Sequence, residues 1–313
     1  MTNLPYRAYS DYLREKYGQK VYKLPIKLDL TCPNRDGTVA YGGCIFCGES
    51  GGSFENLCEK MSVKNQLKSN MDYIGKRYGA KLFLAYFQNF SNTYMPLDVF
   101  KRCIKSCQMD NIVGIYISTR PDCIYREHLD FLTKFSKDTG LEIVFELGLQ
   151  TVNYHSLEKL NRGHGISEFI DACIRIKQSG FKICTHVILG LPWDDDLDFI
   201  ETAKLINVLG VDEVKIHSLY IPKNTKLSEM YEKKEIELIS LEEYKRIVIL
   251  FLRHLKPDIA VQRLVGRMPK EETVFCNWNT SWWLIKEAIE KEMLENGYSQ
   301  GDFYTALDEN PFK

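Results

Sequence analysis

The 313-residue chain is 44% hydrophobic and 27% charged, ordinary proportions for a globular protein with a substantial core, and its net charge is −1. A nearly neutral balance removes any overall basic field and leaves only a local groove as a route to nucleic acid. The opening residues hold no apolar signal region and no apolar run approaches the roughly 20 residues that span a bilayer, so the chain is expected in the cytoplasm, with its ten cysteines as metal ligands or buried thiols rather than disulfides.

In chain order, residues 1–25 come first as an aromatic and basic preface: Tyr6, Arg7, Tyr9, Tyr12, Arg14, Lys16, Tyr17, Lys20, Tyr22 and Lys23. Aromatics interleaved with cations suit RNA stacking and phosphate contact. An amphipathic helix docked on the body explains the same residues. Short β-rich runs at 26–30, 82–87, 112–118, 142–147, 182–189 and 213–219 then alternate with helical stretches near 62–78, 97–109, 125–138, 166–179, 195–209 and 241–255. Within 97–109, Val99, Cys103, Ile104 and Cys107 recur at the three- and four-residue intervals of one helix face. Consecutive β–α units predict an α/β fold with a parallel sheet and right-handed crossovers. A doubly wound sheet and a partial or full barrel both satisfy the pattern, and in either the functional residues gather at the C-terminal ends of strands. The tail, 257–313, carries a β-like run at 259–265 and a helical pattern at 282–295, so the expected division is an extension 1–25, a core 26–256 and an extension 257–313. Cys103, Cys107, Cys123, Cys173 and Cys184 sit in apolar or helical patterns and read as buried; Cys58 and Cys276 are undecided.

The most informative segment is 31–54, TCPNRDGTVAYGGCIFCGESGGSF, which follows the first expected strand and spaces Cys32, Cys44 and Cys47 as C-x11-C-x2-C. Its glycines make a tightly turning loop able to wrap a metal centre. A closed structural zinc site wants four ligands, and no histidine lies nearby; Cys58 or a distant residue would have to complete one. Iron–sulfur clusters also commonly take four protein ligands, so three thiolates leave one iron of a 4Fe–4S cluster open to another molecule. Three cysteines in a glycine-rich loop after the first strand of a β–α array favour the cluster.

With these cysteines, the segments CPNRDGT from Cys32, GCIFC ending at Cys47, FQNFSNTY at 87–94, STRPDC at 118–123, ELGLQT at 146–151, NRGH at 161–164 and HVILGLP at 186–192 resemble, in order, the radical S-adenosylmethionine (SAM) superfamily. The resemblance covers roughly residues 20–225 and is specific to the short bacterial branch related to the catalytic subunit of Elongator (the YtqA/YhcC and MnmL type). It implies a partial (β/α)6 TIM-type barrel, a 4Fe–4S cluster held by Cys32, Cys44 and Cys47, and SAM chelating the open iron. It also implies conversion of 5-carboxymethylaminomethyl(-2-thio)uridine at the tRNA wobble position to the 5-aminomethyl form. The expected partners are tRNA through its anticodon loop, a flavodoxin or ferredoxin as electron donor, and a separate tRNA methyltransferase acting next. Two departures stand out: Asn224 in IPKNTKL, where relatives often have glycine, and WDDD at 193–196 in place of Gly-Glu. About 90 residues follow the last expected core strand, too few for the acetyltransferase domain of the wider Elongator group, so a carboxymethylation from acetyl-CoA is not expected. A radical SAM enzyme for a peptide or metabolite, and a non-catalytic metal-bearing RNA-binding module, are the rival readings.

The resemblance places SAM contacts at Phe46 (adenine), Gln88 and Asn89 (amino group, through backbone carbonyls), Ser118, Arg120 (a carboxylate), Glu146 and Gln150 (ribose and amino groups), Arg162 and Leu189; it names no catalytic residue. Asn92 and Thr93 are weaker candidates, and His164 reads as a loop contact. His186 and His217 lie on strands and point either inward or into the core. In the tail, Arg263, Arg267 and Lys270 extend the candidate RNA surface, and Trp278, Trp282 and Trp283 read as a closing element from which one ring can reach the substrate pocket.

Overall fold

The computed structural model describes residues 4–48, 51 and 59–305; Cys58 lies outside them. Helix α1 (Tyr9–Tyr17) precedes strand β1 (Val21–Ile26). There follow α2 (Val63–Tyr78), β2 (Leu82–Phe87), α3 (Leu97–Lys105), β3 (Ile112–Thr119), α4 (Arg126–Thr139), β4 (Glu142–Gln150), α5 (Tyr154–Lys159), α6 (Ile166–Gln178), β5 (Lys182–Leu189), α7 (Asp196–Val208) and β6 (Glu213–Ser218). The rest is β7 (Ile221–Pro222), α8 (Lys226–Glu232), α9 (Leu241–His254), β8 (Ala260–Arg263), β9 (Thr273–Phe275) and α10 (Trp282–Glu295). Local chemistry fixes the boundaries: the Ser62 hydroxyl caps α2, Asp195 caps α7, and Gly79 and Gly140 take the left-handed conformation that ends α2 and α4.

Seven strands form one parallel sheet in the order β1-β2-β3-β4-β5-β6-β8. A doubly wound sheet reverses its strand order at a switch point. Here the order never reverses, so the sheet curls into a half-barrel. Its outer face carries Ile115, Phe145, Ile183 and Ile216, packed against Phe100, Leu132, Phe169 and Val248 of the helices. Its inner face carries Leu84, Tyr86, Tyr116, Val144 and Cys184, against which α1 seats Leu13. Side chains alternate along each strand, so one sequence serves both faces.

The half-barrel has two unpaired edges, β1 and β8, and α1 packs between them. The chain's ends close the seam: Val261 N–H donates to the Arg7 carbonyl (2.8 Å), Gln300 N–H to the Pro5 carbonyl (2.8 Å), and the Tyr6 hydroxyl to Glu290 (2.6 Å). Much of the preface is spent here. Lys16 pairs with Glu142, Tyr9 donates to Tyr116, and Lys182 donates to Tyr12. The docked helix thus accounts for most of these residues, while Arg14 and Lys20 stay exposed.

The first strand differs from expectation. It lies at Val21–Ile26, not 26–30, and contains Pro25. A strand proline normally argues against a strand, but β1 pairs on one side only, where the missing N–H costs nothing. Beyond Ile26 the backbone leaves the ladder for side-chain amides: Gln66 bonds both Lys27 N–H (3.0 Å) and its carbonyl (2.8 Å), and Asn89 does the same for Leu28 (3.1 and 2.7 Å). The other expected strands fall on β2–β6. Cys107, Cys123, Cys173 and Cys184 are buried as expected, whereas Cys103 and Cys276 are half-buried. Among the described residues no helix is long and apolar enough to cross a membrane.

Candidate active site

The cysteine loop leaves β1 and folds on its own backbone. Arg35 N–H donates to the Cys32 carbonyl (2.7 Å), Gly43 N–H to Asn34 (2.8 Å) and Cys47 N–H to Cys44 (2.9 Å). The CIFC turn is stitched to the body through Ile45, whose N–H donates to Leu160 and whose carbonyl accepts from Leu227, both at 3.1 Å. Gly163, at φ 67°, is held against this loop: a Cβ there would stand 2.3 Å from Asn34 Oδ1.

Donors converge on the sulfurs. Cys44 Sγ has Arg162 Nη1 at 3.2 Å and Asn34 Nδ2 at 3.5 Å, and Cys47 Sγ has Arg35 Nη1 at 4.0 Å. Burial and the neighbouring thiols push the Cys47 thiol up to about 12, and burial raises Cys32 as well. Dry thiols shed their protons when a metal takes their place. The spacing discriminates between metals. A single zinc at ~2.3 Å from each sulfur would draw the sulfurs to within about 4 Å. Among the described residues the three loop thiols are not all within 4.8 Å of one another, so they are not drawn up as a single zinc would hold them, and three thiolates with charged donors beside them suit an iron–sulfur cluster.

Cys47 opens on a cavity of about 1090 Å³ inside the half-barrel, which Cys32 and Cys44 do not line. Of the expected SAM contacts, Phe46, Gln88, Ser118, Arg120, Glu146, Gln150 and Arg162 line it, with Cys47. Two do not. Asn89 is fully buried holding Leu28, and Leu189 is in the core between sheet and helices. Asn92 and Thr93 are also buried, bonded to the ends of β2 and β3 and to the Cys123 carbonyl.

Arg120 is committed within the protein: its guanidinium holds Asp122 at 2.8 and 2.7 Å and donates to the Arg162 carbonyl (2.8 Å). It thereby braces the loop that carries Arg162. Arg162 in turn donates to Gly148 (3.1 Å) and to His164 Nε2 (2.7 Å). Burial and the two arginines push His164 down to about 2, so it accepts at Nε2 and donates Nδ1–H to the Gly165 carbonyl. Gly148 makes room for this: a Cβ would meet Gln150 Nε2 at 2.6 Å and Arg162 Nη2 at 2.9 Å. Gln150 itself takes φ 73°, a strained value for a non-glycine residue at a site.

Deeper in, the inward faces of five strands build a charged floor. Glu146 accepts from Lys23 (2.5 Å), Lys215 (3.2 Å) and His186 (2.9 Å). Lys23 also lies over the rings of Tyr116, Tyr86 and Tyr9. Burial pushes Glu213 up to about 7 and Lys215 down to about 8. Burial and the surrounding cations push His186 down to about 4 and His217 well below its ordinary value. Glu146, Cys184 and His186 have metal-ligand spacing, but Glu146 already answers two lysines that a cation would have to displace. Sequence reasoning passed over Lys23, Lys215 and Arg263 as floor residues. The usable signal was Lys215 and His217 two apart in EVKIHS, between outward Val214 and Ile216.

The radical SAM superfamily model matches residues 32–206, and the radical SAM C-terminal domain matches 211–295. The chain is 35% identical to YtqA of Bacillus subtilis over 312 residues, 98% of this chain and 95% of that protein. It is 32% identical to YhcC of Escherichia coli over 287 residues, 91% of each. Human Elongator complex protein 3 is 31% identical over 102 residues, 33% of this chain and 17% of that one. In three dimensions the chain resembles Elp3 of the archaeon Methanocaldococcus infernus, with a TM-score of 0.69 at 18% identity, covering 90% of this chain and 64% of that one. The cysteine loop at the mouth of a curled parallel sheet, and the family matched across most of the chain, agree: this protein belongs to the radical SAM superfamily, is a radical SAM enzyme using a 4Fe–4S cluster and S-adenosylmethionine, and is related to YtqA, YhcC and Elongator complex protein 3.

Proposed function

We propose that this enzyme acts on the wobble uridine of tRNA, converting 5-carboxymethylaminomethyluridine or its 2-thio form to 5-aminomethyluridine. The carboxymethyl carbon beside the amine would lose a hydrogen atom to the 5′-deoxyadenosyl radical and an electron back to the cluster, and water would cleave the resulting C=N bond, so that the two-carbon unit leaves as glyoxylate. The observation that carries this reading is the cavity: at about 1090 Å³ it exceeds the ~300–1,000 Å³ of a single-ligand pocket and runs without interruption from Cys47 to a rim of Arg14, Lys20, Trp282 and Lys286. A volume of that size has room for SAM and a second ligand. A rim of cations with an exposed tryptophan suits a nucleotide whose phosphates stay outside while its base enters. The relationship to Elongator complex protein 3 supports the choice of a tRNA.

Cys32, Cys44 and Cys47 would hold the cluster, and Phe46 with the ends of β2–β4 would hold SAM. When bound, these groups supply an electron and, by cleavage of the SAM carbon–sulfur bond, a radical able to take hydrogen from a carbon beside the substituent's amine. The chain's own contribution is positional. Arg162, braced by Arg120, and Asn34 direct N–H donors at Cys44 Sγ. The half-barrel keeps the reacting carbon away from bulk water, and an unstacked base from a single-stranded loop reaches it more easily than one from a duplex. We place the reaction in the cytoplasm, with a flavodoxin or ferredoxin as reductant and a tRNA methyltransferase as the next enzyme.

The test is an anaerobic incubation of reconstituted protein with SAM, dithionite and tRNA from cells lacking its gene, followed by nucleoside mass spectrometry. Loss of carboxymethylaminomethyluridine with matching gain of aminomethyluridine is the expected result. Formation of 5′-deoxyadenosine with no change in any nucleoside would remove the substrate from this reading.

A further inference from the structure

The floor of the cavity carries more positive charge than the described residues answer. Lys23 and Lys215 share the Glu146 carboxylate. Glu213, the other buried acid there, accepts from Tyr116 (2.7 Å) and Gln262 (2.6 Å) and is half-neutral near pH 7. His186 and His217 stay uncharged among the cations. Arg263, on β8 in register with Lys215, has no ion-pair partner among the described residues. Its Nη2 donates to the His217 ring, 2.6 and 3.0 Å from the two nitrogens, and its Nε–H is buried with no partner. Among the described residues no carboxylate oxygen comes within 4.0 Å of this guanidinium.

A guanidinium sheltered from water is costly without a counter-charge. Arg263 lines the cavity and keeps N–H donors beyond the one it gives to His217, and a guanidinium with N–H groups to spare is the side chain best suited to take a carboxylate. We propose that Arg263, supported by Lys215 and His217, is a carboxylate-binding subsite that receives the carboxymethyl carboxylate of the substrate. This rests on the wobble-uridine reading and extends it. The subsite belongs to the same cavity as Cys47 and Phe46, so an anchored carboxylate leaves its methylene within the space the two ligands share. It also separates substrate from product: the carboxymethyl substituent carries an anion that the floor attracts, while the aminomethyl product carries only a cation, which Arg263 repels, so product leaves more readily than substrate. A second source of the same chemistry is the methionyl carboxylate of SAM, and the experiment separates the two.

Holoprotein with SAM and no reductant is titrated by calorimetry, under anaerobic conditions, with 5-carboxymethylaminomethyluridine and with its neutral carboxamide analogue. The proteins are wild type, Arg263→Gln and Arg263→Lys, with SAM affinity measured separately and iron content and Tm as folding controls. Wild type is expected to prefer the carboxylate by about 10- to 100-fold. Arg263→Gln should abolish the preference and Arg263→Lys restore part of it. Equal binding of the two nucleosides by wild type overturns the subsite, as does an undiminished preference in Arg263→Gln. A variant that loses SAM affinity alone assigns Arg263 to the SAM carboxylate and also overturns the proposal. If Arg263→Gln does not fold, the wild-type preference and the Arg263→Lys value decide. An Arg263-dependent preference without turnover of tRNA sinks the wobble reaction and keeps the subsite; turnover indifferent to Arg263 does the reverse.

Discussion

Glu213 tests the charge balance of the barrel floor directly. Its side chain is fully buried, and burial raises its carboxyl from 4.5 to about 7 against the attraction of Lys23. A group whose pKa is higher folded than unfolded stabilises the fold fully below the unfolded value and loses that contribution as pH rises through the folded one. At about 1.4 kcal/mol per pH unit, ionising Glu213 costs the fold about 3 kcal/mol between pH 4.5 and 7. Glu213→Gln removes that titration. The new amide still accepts from the Tyr116 hydroxyl, but its NH2 faces Gln262 Nε2, and turning the Gln262 amide over sacrifices the 2.9 Å contact with Lys23. That penalty is the same at every pH, so the slope of the difference is the readout. Anaerobic chemical denaturation of holoprotein at pH 5, 6, 7 and 8 should show the variant gaining on wild type by about 2.5 kcal/mol across the range. His186 and His217 titrate in both proteins with the opposite slope, losing stability as pH falls, and largely cancel in the difference. Parallel curves for the two proteins would refute the account of the floor.

Glu146→Gln should destabilise by about 3–5 kcal/mol, because Lys23 and Lys215 would be buried without their shared anion; a Tm unchanged within error would contradict this. Arg162→Met removes the donor 3.2 Å from Cys44 Sγ and should make the cluster harder to reduce, by about 60–130 mV for one electron, as read by an EPR-monitored redox titration. Gly163→Ala forces a Cβ to within 2.3 Å of Asn34 Oδ1 at a left-handed φ; about 1–3 kcal/mol of strain should appear as reduced iron per protein after reconstitution, and full loading would refute the rigidity of this turn.

The β–α alternation was legible because outward strand positions are mostly apolar, as Ile183, Val187 and Leu189 on β5 show around Thr185, and because helices such as α3 and α6 have one apolar face. The three thiols were legible because the glycines around them exclude regular structure. What the sequence concealed depends on the curl. Whether Lys23 belonged to an RNA-binding preface or to the barrel interior turned on a strand containing Pro25, which a one-dimensional pattern demotes. Arg263 read as a tail cation because the seventh strand is only four residues long and its partner, β6, lies 42 residues earlier by the gap from Ser218 to Ala260. Arg120 read as a free anion anchor, since nothing in STRPDC announces that Asp122 will fold back onto it. Asn89 read as a cofactor contact at a strand end, yet its amide is the missing partner of Leu28.

The seam that α1 fills also sets a clock. Tyr6 and Glu290 are 284 residues apart, and Arg7 and Gln300 are 293 apart. At ~5–20 residues per second of synthesis, roughly 15–60 s pass between the making of one lip of this seam and the arrival of the other. Throughout that interval the strands between can pair in order while the two lips stay apart. The seam is thus a contact of very high sequence separation, paid for in loop-closure entropy only after the sheet it closes has been made.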